Sequence, residues 1–169
     1  MPDSRQQLNM AGFREAFDCA TAITDLERPD LGAIRVATPP AIAALKFISY
    51  SDRPAERVRR DLPDIAHILR QYGKSRGQED RLYEAEFLPL LNEPDFDVSY
   101  LGACLCGSEV RRNFTAQTLH QICLVVESLH GPEGIFASIT HNSFINSPPE
   151  ERYCRAATTL EYFRRFLSG

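Results

Sequence analysis

Extended segments occur in only one part of this sequence, and helical patterns fill most of the remainder. Thr21 to Leu26 and Ala33 to Ala37 read as two short strands. The residues that favour a turn between them are Pro29, Asp30 and Gly32. A two-stranded sheet by itself is only marginally stable in water. Either helices cover these strands, or the strands belong to a larger sheet whose other members lie elsewhere, and the sequence leaves both arrangements open.

Helical patterns recur along most of the chain. We read a segment as a helix where apolar residues recur every three to four positions between start and stop signals. The segments are Gly12 to Ala20, Pro40 to Asp52, Ala55 to Tyr72, Asp80 to Leu91, Ser99 to Arg112, Thr115 to His130 and Pro148 to Leu167. Residues 131–147 read as a loop with at most a short extended piece. Ser147 and Glu150 match a capping box at the start of the last helix.

The helix predicted from Ala55 to Tyr72 carries the clearest apolar stripe and also an awkward residue. The stripe consists of Val58, Leu62, Ile65, Leu69 and Tyr72. Pro63 lies among these residues, and a proline costs about 3 kcal/mol in a helix interior. The pattern therefore predicts a kink at Pro63 or a helix that starts later.

These patterns together predict an α+β fold that is mostly helical and forms one structural domain. Residues 1–37 would form the sheet region, and residues 38–169 would form a helical C-terminal bundle. A chain of 169 residues is long enough to bury a proper core.

Composition narrows the function classes. The net charge is −4, so no global basic field recruits nucleic acid, and any such contact would have to be local. The five cysteines are scattered and odd in number, which is typical of reduced thiols. The sequence contains neither a run of about 18 apolar residues nor an N-terminal secretory signal. We therefore expect a cytoplasmic protein with no membrane partner.

Four charged residues line the first two long helices. Lys46 and Arg53 are seven residues apart, nearly two turns, and so share a helix face. Asp61 and Asp64 follow on the next helix at a spacing of three, beside its apolar stripe. A lysine and an arginine fixed in place suit phosphate oxygens. The same charges can instead pair with one another and tie the two helices together, and spacing alone favours that structural interpretation.

The segments "LNMAGFREAF", "IRVATPPAIAALKFISYSDR" and "RRDLPDIAHILRQYG" resemble the C-terminal part of bacterial nucleotidyltransferase-like proteins of the abortive-infection AbiEii toxin type. That family has a lysine-bearing helix, then a "KDxxD" helix that ends on a tyrosine before a loop. The matching positions are Lys46 and Arg53 in the first helix, Arg60, Asp61 and Asp64 in the second, and Tyr72 at its end. The resemblance implies that Lys46 and Arg53 bind the triphosphate, with Asp61 and Asp64 as supporting carboxylates. The chain departs from the pattern at Arg60, which replaces a lysine, and at Pro63.

The magnesium-binding part of the family pattern has no counterpart in this sequence. The family holds Mg²⁺ on a D-x-D strand that follows a Gly-Ser or Gly-Gly turn, upstream of the region matched here. Gly107-Ser108 is followed by no D-x-D, and Asp95-Phe96-Asp97 follows a proline, so we interpret it as a loop and helix cap. The resemblance thus implies Mg²⁺ and an NTP only if a catalytic half completes the site, and we expect no metal site in this chain alone.

The other candidate motifs have ordinary structural explanations. Cys104 and Cys106 are predicted to be buried thiols, because a C-x-C pair on a helix directs its two sulfurs apart. The basic clusters are predicted to be solvated helix faces and are Arg57, Arg59, Arg60, Arg111 and Arg112. His67 is expected to face solvent, opposite the apolar stripe.

Whether the chain is an enzyme stays open. The leading hypothesis is NTP-dependent nucleotidyl transfer to an acceptor, with an RNA end as one option, once another chain supplies the metal-binding half; alone, the chain is expected to be inactive. The alternative is a non-catalytic binding module that serves an antitoxin or a complementing catalytic chain. A homo-oligomer through exposed strand edges and a decayed, aggregation-prone reading frame are further alternatives.

Overall fold

The computed structural model describes residues 10–24, 32–52, 55–130 and 134–169, and within them all side chains except those of 52 and 55–59. The α-helices are α1 Phe13–Asp18, α2 Pro39–Asp52, α3 Ala55–Gln71, α4 Leu101–Asn113, α5 Ala116–His130, α6 Ile135–Thr140 and α7 Arg152–Ser168. The strands are β1 Thr21–Thr24 and β2 Ala33–Val36. Short 3-10 helices span Tyr72–Lys74, Glu79–Tyr83, Leu88–Asn92, Val98–Tyr100 and His141–Phe144. The predicted α+β, mostly helical architecture is confirmed.

β1 and β2 form the two-stranded antiparallel sheet found in the described residues. Thr21 pairs with Val36 and Ile23 pairs with Ile34. Every residue of both strands is exposed. Gly32 directly precedes β2 and has a φ of 73°, a left-handed conformation that favours glycine. Pro29 and Asp30, predicted to form the turn, lie outside the described residues.

The core lies among α2, α3, α4, α5 and α7. α4 and α7 approach closely because Gly107 has no side chain: a Cβ there would lie 2.5 Å from the Phe163 carbonyl oxygen. The ring of Phe163 stacks on Phe47 of α2 with centroids 5.1 Å apart. α4 therefore carries glycine where backbones meet, and large aromatic rings fill the space around that contact.

α2 and α3 follow their sequence signals closely. The Ala41 N–H donates to the hydroxyl of Thr38, a preferred N-cap residue, at 3.4 Å, which caps α2. The α3 residues Leu62, Ile65 and Leu69 are completely buried. Pro63 lies inside α3, and the helix starts before it, so the predicted later start is wrong. Burial of the stripe on both sides of Pro63 outweighs the cost of the missing hydrogen bond.

Two sequence predictions of secondary structure after α3 are wrong. The helix predicted from Asp80 to Leu91 is instead two 3-10 helices, Glu79–Tyr83 and Leu88–Asn92. These short turns bury Leu82, Phe87 and Leu90 one after another, an arrangement that one continuous helix would not give. The predicted loop contains α6 and a 3-10 helix, and it buries Phe136 and Phe144.

The start of α7 also differs from its prediction. The helix begins at Arg152, and no side chain caps it, so the capping box at Ser147 and Glu150 is wrong. The Arg152 guanidinium donates to the carbonyls of Ser147 and Ile145 at 3.0 and 3.2 Å. These bonds, and not a side-chain cap, fix the turn that precedes α7.

Among the described residues no single helix is long and apolar enough to cross a bilayer. Helices Ala116–His130 and Ile135–Phe144 reach that length and composition only as a pair, which is bent by 74°. α5 buries Ile122, Val126 and Leu129 in the core, and core helices can pass the same test.

Candidate functional site

Lys46 of α2 lies between two carboxylates of α3. Its Nζ donates to Asp61 Oδ1 at 3.1 Å and to Asp64 Oδ2 at 2.8 Å. The three residues come together because α2 packs against α3, and because Asp61 and Asp64 project from one side of α3. We call Lys46, Asp61 and Asp64 the lysine cluster.

The two carboxylates of the lysine cluster differ in exposure. The Asp61 side chain is 7% exposed, whereas that of Asp64 is 61% exposed and that of Lys46 is 25% exposed. The Ser49 hydroxyl lies 3.4 Å from Asp61 Oδ2 and adds a second contact from α2. Asp61 is therefore fixed at the helix contact, and Asp64 lies at its solvent-facing rim.

Two opposing effects act on the Lys46 ammonium. Burial alone would lower the pKa of Lys46, but hydrogen bonds to Asp64 and Asp61 outweigh it, and the net pKa is raised. Lys46 therefore stays charged at neutral pH. An ammonium has three N–H donors, and two of them bind the aspartates, which leaves one donor for a further oxygen.

The structure gives less support to the other residues that the sequence analysis named. Arg53 lies outside the described residues, as do the side chains of Arg57 and Arg59. Arg60 is exposed. Tyr72 does not join the lysine cluster; its hydroxyl donates to Glu109 Oε1 of α4 at 2.8 Å.

The described residues do not fit a magnesium site. Within the ranges that the structure describes, no three His, Cys, Asp or Glu side chains converge to hold a metal ion. Asp61 and Asp64 already accept hydrogen bonds from Lys46, and the three groups carry one net negative charge. Asp97 of the D-x-D caps a 3-10 helix, with its Oδ1 accepting from the Ser99 N–H at 2.8 Å, as predicted for a loop and cap.

Two networks of hydrogen bonds and ion pairs, around Glu86 and Glu109, were not predicted from the sequence. Glu86 accepts from the buried Ser108 hydroxyl at 2.9 Å and binds the guanidinium groups of Arg111 and Arg112. Arg81 likewise binds Glu109, the partner of Tyr72. The prediction that Arg111 and Arg112 form a solvated face is therefore only partly right. Glu86 lies in the segment misread as a helix, so its pairing could not be found from spacing.

The β1–β2 hairpin presents an apolar face to solvent. Ile23, Ile34 and Val36 lie on one side of the ladder and are 54%, 68% and 45% exposed. On the other side, the Arg35 guanidinium donates to the Phe17 carbonyl at 3.0 Å and lies over its ring, which ties β2 to α1. We call Ile23, Ile34 and Val36 the hairpin face.

Comparisons with known proteins found no family model, no curated protein and no solved structure that matches the chain significantly. The similarity to the AbiEii type therefore rests on the quoted residues alone. The lysine cluster and the hairpin face are the features of the described structure that bear on function.

Proposed function

We propose that this chain is a nucleotidyltransferase-like protein whose lysine cluster faces a nucleoside triphosphate. Lys46, with Arg53, contacts phosphate oxygens, and Asp61 and Asp64 orient the lysine. The complete reaction forms a bond between an acceptor hydroxyl and the α-phosphorus, releases pyrophosphate and loses the hydroxyl proton to solvent. An RNA end is one acceptor class. The metal-binding carboxylates come from another chain or from a longer form of this one.

One observation supports this proposal above all. The family resemblance selects Lys46 in one segment and Asp61 and Asp64 in another, and the Lys46 Nζ lies within hydrogen-bond distance of both carboxylates. Lys46 keeps a free donor direction at the rim of the helix pair, because it is one quarter exposed. The exposed Asp64 can give way to a phosphate oxygen while the buried Asp61 continues to hold the lysine.

Charge limits what the lysine cluster can bind. With one net negative charge, it repels a bare triphosphate. Mg²⁺ carried by the nucleotide would lower this repulsion. We therefore expect weak NTP binding without Mg²⁺ and tighter binding with it.

The second candidate is a non-catalytic interaction module, and the hairpin face favours it. Three large apolar side chains exposed side by side on a two-stranded sheet are typical of a surface that another chain covers. Among the described residues each strand pairs only with the other, so its second edge can extend the sheet. A complementing catalytic chain or an antitoxin would dock there, and the lysine cluster would serve stability alone.

NTP binding separates the two candidates. Lys46→Met combined with Asp61→Asn removes one positive and one negative charge together, so it leaves the net charge of the cluster unchanged. We would titrate wild type and this double variant with Mg-ATP and Mg-GTP by calorimetry, with thermal unfolding as the check on folding. Binding by wild type and its loss in a folded double variant are expected.

Two results would contradict the nucleotide proposal. Wild type that binds no NTP, with or without Mg²⁺, would remove its basis for this chain. Equal binding by wild type and the double variant would show that the nucleotide lies elsewhere. Gln117→Ala, at an exposed position of α5, is the control for non-specific effects.

A further inference from the structure

A cleft lies on another part of the molecule, away from the lysine cluster. The end of α3, the residues just before α4, the segment 144–148 and the side of α7 line it. It encloses about 250 Å³. Its charged lining residues are Arg70, Lys74 and Arg155, and none of the carboxylates that the structure describes lines it. Ser99, Ser147 and Thr159 also line it, and the Thr159 hydroxyl donates to the Arg155 carbonyl at 2.7 Å. We call this the basic cleft.

Arg70 is held in a fixed position in the basic cleft. Its guanidinium donates to the Ser143 carbonyl and lies over the Phe144 ring, 4.6 Å from the centroid. Burial lowers the pKa of Arg70. In the part of the chain that the structure describes, no carboxylate forms an ion pair with it. Arg70 is thus a partly desolvated cation whose remaining N–H donors have no anionic partner among these residues.

Lys74 and Arg155 add charge from two other elements. Lys74 ends the 3-10 helix after α3, is exposed, and forms no ion pair within the described ranges. Arg155 is oriented by Asp97 at 3.3 Å and by Glu151 at 3.1 Å, and neither carboxylate lines the cleft. Three cations from three elements therefore border one small cavity, with two of them fixed by packing or hydrogen bonds.

We propose that the basic cleft is a binding site for a phosphate monoester. An arginine fork and a lysine point charge match phosphate geometry, and the hydroxyls of Ser99 and Ser147 are further possible donors. Arg155 is already paired with carboxylates, whereas Arg70 and Lys74 have no carboxylate partner among the described residues, and a dianionic phosphate balances both of these charges where a carboxylate balances one. The volume is below the roughly 300–1,000 Å³ of drug-sized pockets, which suits a phosphate with a small substituent.

This site is separate from the lysine cluster. Arg70 follows Asp61 by nine residues, which corresponds to about 13 Å along α3 and half a turn around it. The inference therefore does not depend on the proposed function, and either can fail without the other.

Amide chemical shifts measured by NMR would test the proposal with inorganic phosphate and phenyl phosphate as probes. We expect saturable shifts at Ser99, Ser147 and Thr159. Lys74→Ala should weaken the affinity about ten-fold, the loss of one charge-assisted hydrogen bond, without a change in unfolding temperature. Lys74→Arg should retain most of the affinity. Arg14→Ala removes an equal charge from a fully separate surface position and should change nothing.

Other outcomes would overturn the assignment. Shifts that rise linearly and spread over all surface arginines would mean general ion association. Wild-type affinity in a folded Lys74→Ala protein would exclude the cleft as the site. Phenol that shifts the same amides as strongly as phenyl phosphate would show that the ring is bound and not the phosphate. Tighter binding of a single-stranded oligonucleotide without terminal phosphates would contradict a monoester ligand.

Discussion

Lys46 and Asp61 join the middle of α2 to α3 through one ion pair in which the carboxylate is almost completely buried and the ammonium is not. The Nζ–Oδ1 distance is 3.1 Å, and the side chains are 25% and 7% exposed. A pair of this kind is sensitive to the removal of one partner, because the remaining charge keeps its desolvation cost. The same pair can be structural and still present its lysine to a ligand.

Lys46→Ala should destabilise the protein by about 2 kcal/mol, less than the roughly 3–5 kcal/mol of fully buried pairs, because Lys46 is partly exposed and Asp61 keeps Ser49. The Lys46→Met and Asp61→Asn double variant should recover more than half of this loss. Urea unfolding measures both free energies. Asp64→Asn is the matched control and should cost under about 1 kcal/mol, because Asp64 is mostly exposed. If the losses caused by Lys46→Met alone and Asp61→Asn alone add up to the loss in the double variant, the two residues are not coupled.

The Tyr162 hydroxyl should lose its proton at a higher pH in the folded protein than in the unfolded chain. Burial first, and then the charge of Glu93, whose carboxylate accepts its hydrogen bond, raise the pKa of Tyr162 to about 12. A folded pKa above the unfolded value of about 10 stabilises the protein below pH 10, and this stability is lost as the pH rises toward 12. Absorbance at the tyrosinate band should show a late-titrating tyrosine that Tyr162→Phe removes. Unchanged titration in that variant would contradict the assignment.

Cys104 and Cys106 should be unreactive in the folded protein. Both side chains are completely buried, and burial raises the pKa of each thiol, so the thiolate is scarce at neutral pH. Cys154 is exposed and should react first with iodoacetamide at pH 8. Mass spectrometry of tryptic peptides would give the order. Modification of Cys104 or Cys106 at the rate of Cys154 would mean that α4 is not buried.

Gly107→Ala should destabilise the protein by about 1–3 kcal/mol, although alanine is the better helix former. Its Cβ would lie 2.5 Å from the Phe163 carbonyl oxygen and 3.0 Å from the Phe166 Cβ, so α7 would have to move away from α4. Thermal unfolding measures the change. Gln117→Ala, at an exposed helix position, should be neutral or slightly stabilising. A stabilised Gly107→Ala protein would show that the two helices can separate at no cost.

Local signals located most elements because they depend on neighbouring residues. Thr38 and Pro39 predict the start of α2, and the stripe around Leu62 predicts α3 whether or not Pro63 lies in it. The segment from Asp80 to Leu91 failed for the opposite reason. Its periodicity is compatible with a helix. Phe87 and Leu90 are nevertheless buried at separate positions of the core, which two short 3-10 helices allow.

By itself, the sequence determined the mostly helical class, the two strands and the α2–α3 helix pair, with Asp61 and Asp64 on one face of α3, since spacing along a helix fixes which residues share a face. That Lys46 reaches both aspartates was decided by the packing of α2 against α3. Only the tertiary structure decided that Asp61 is buried while Asp64 is exposed, that Glu86 collects Ser108 and two arginines, and that Arg70, Lys74 and Arg155 border one cleft. These contacts join segments far apart in the chain. Packing places them, and no local pattern records which distant side chain a charge will meet.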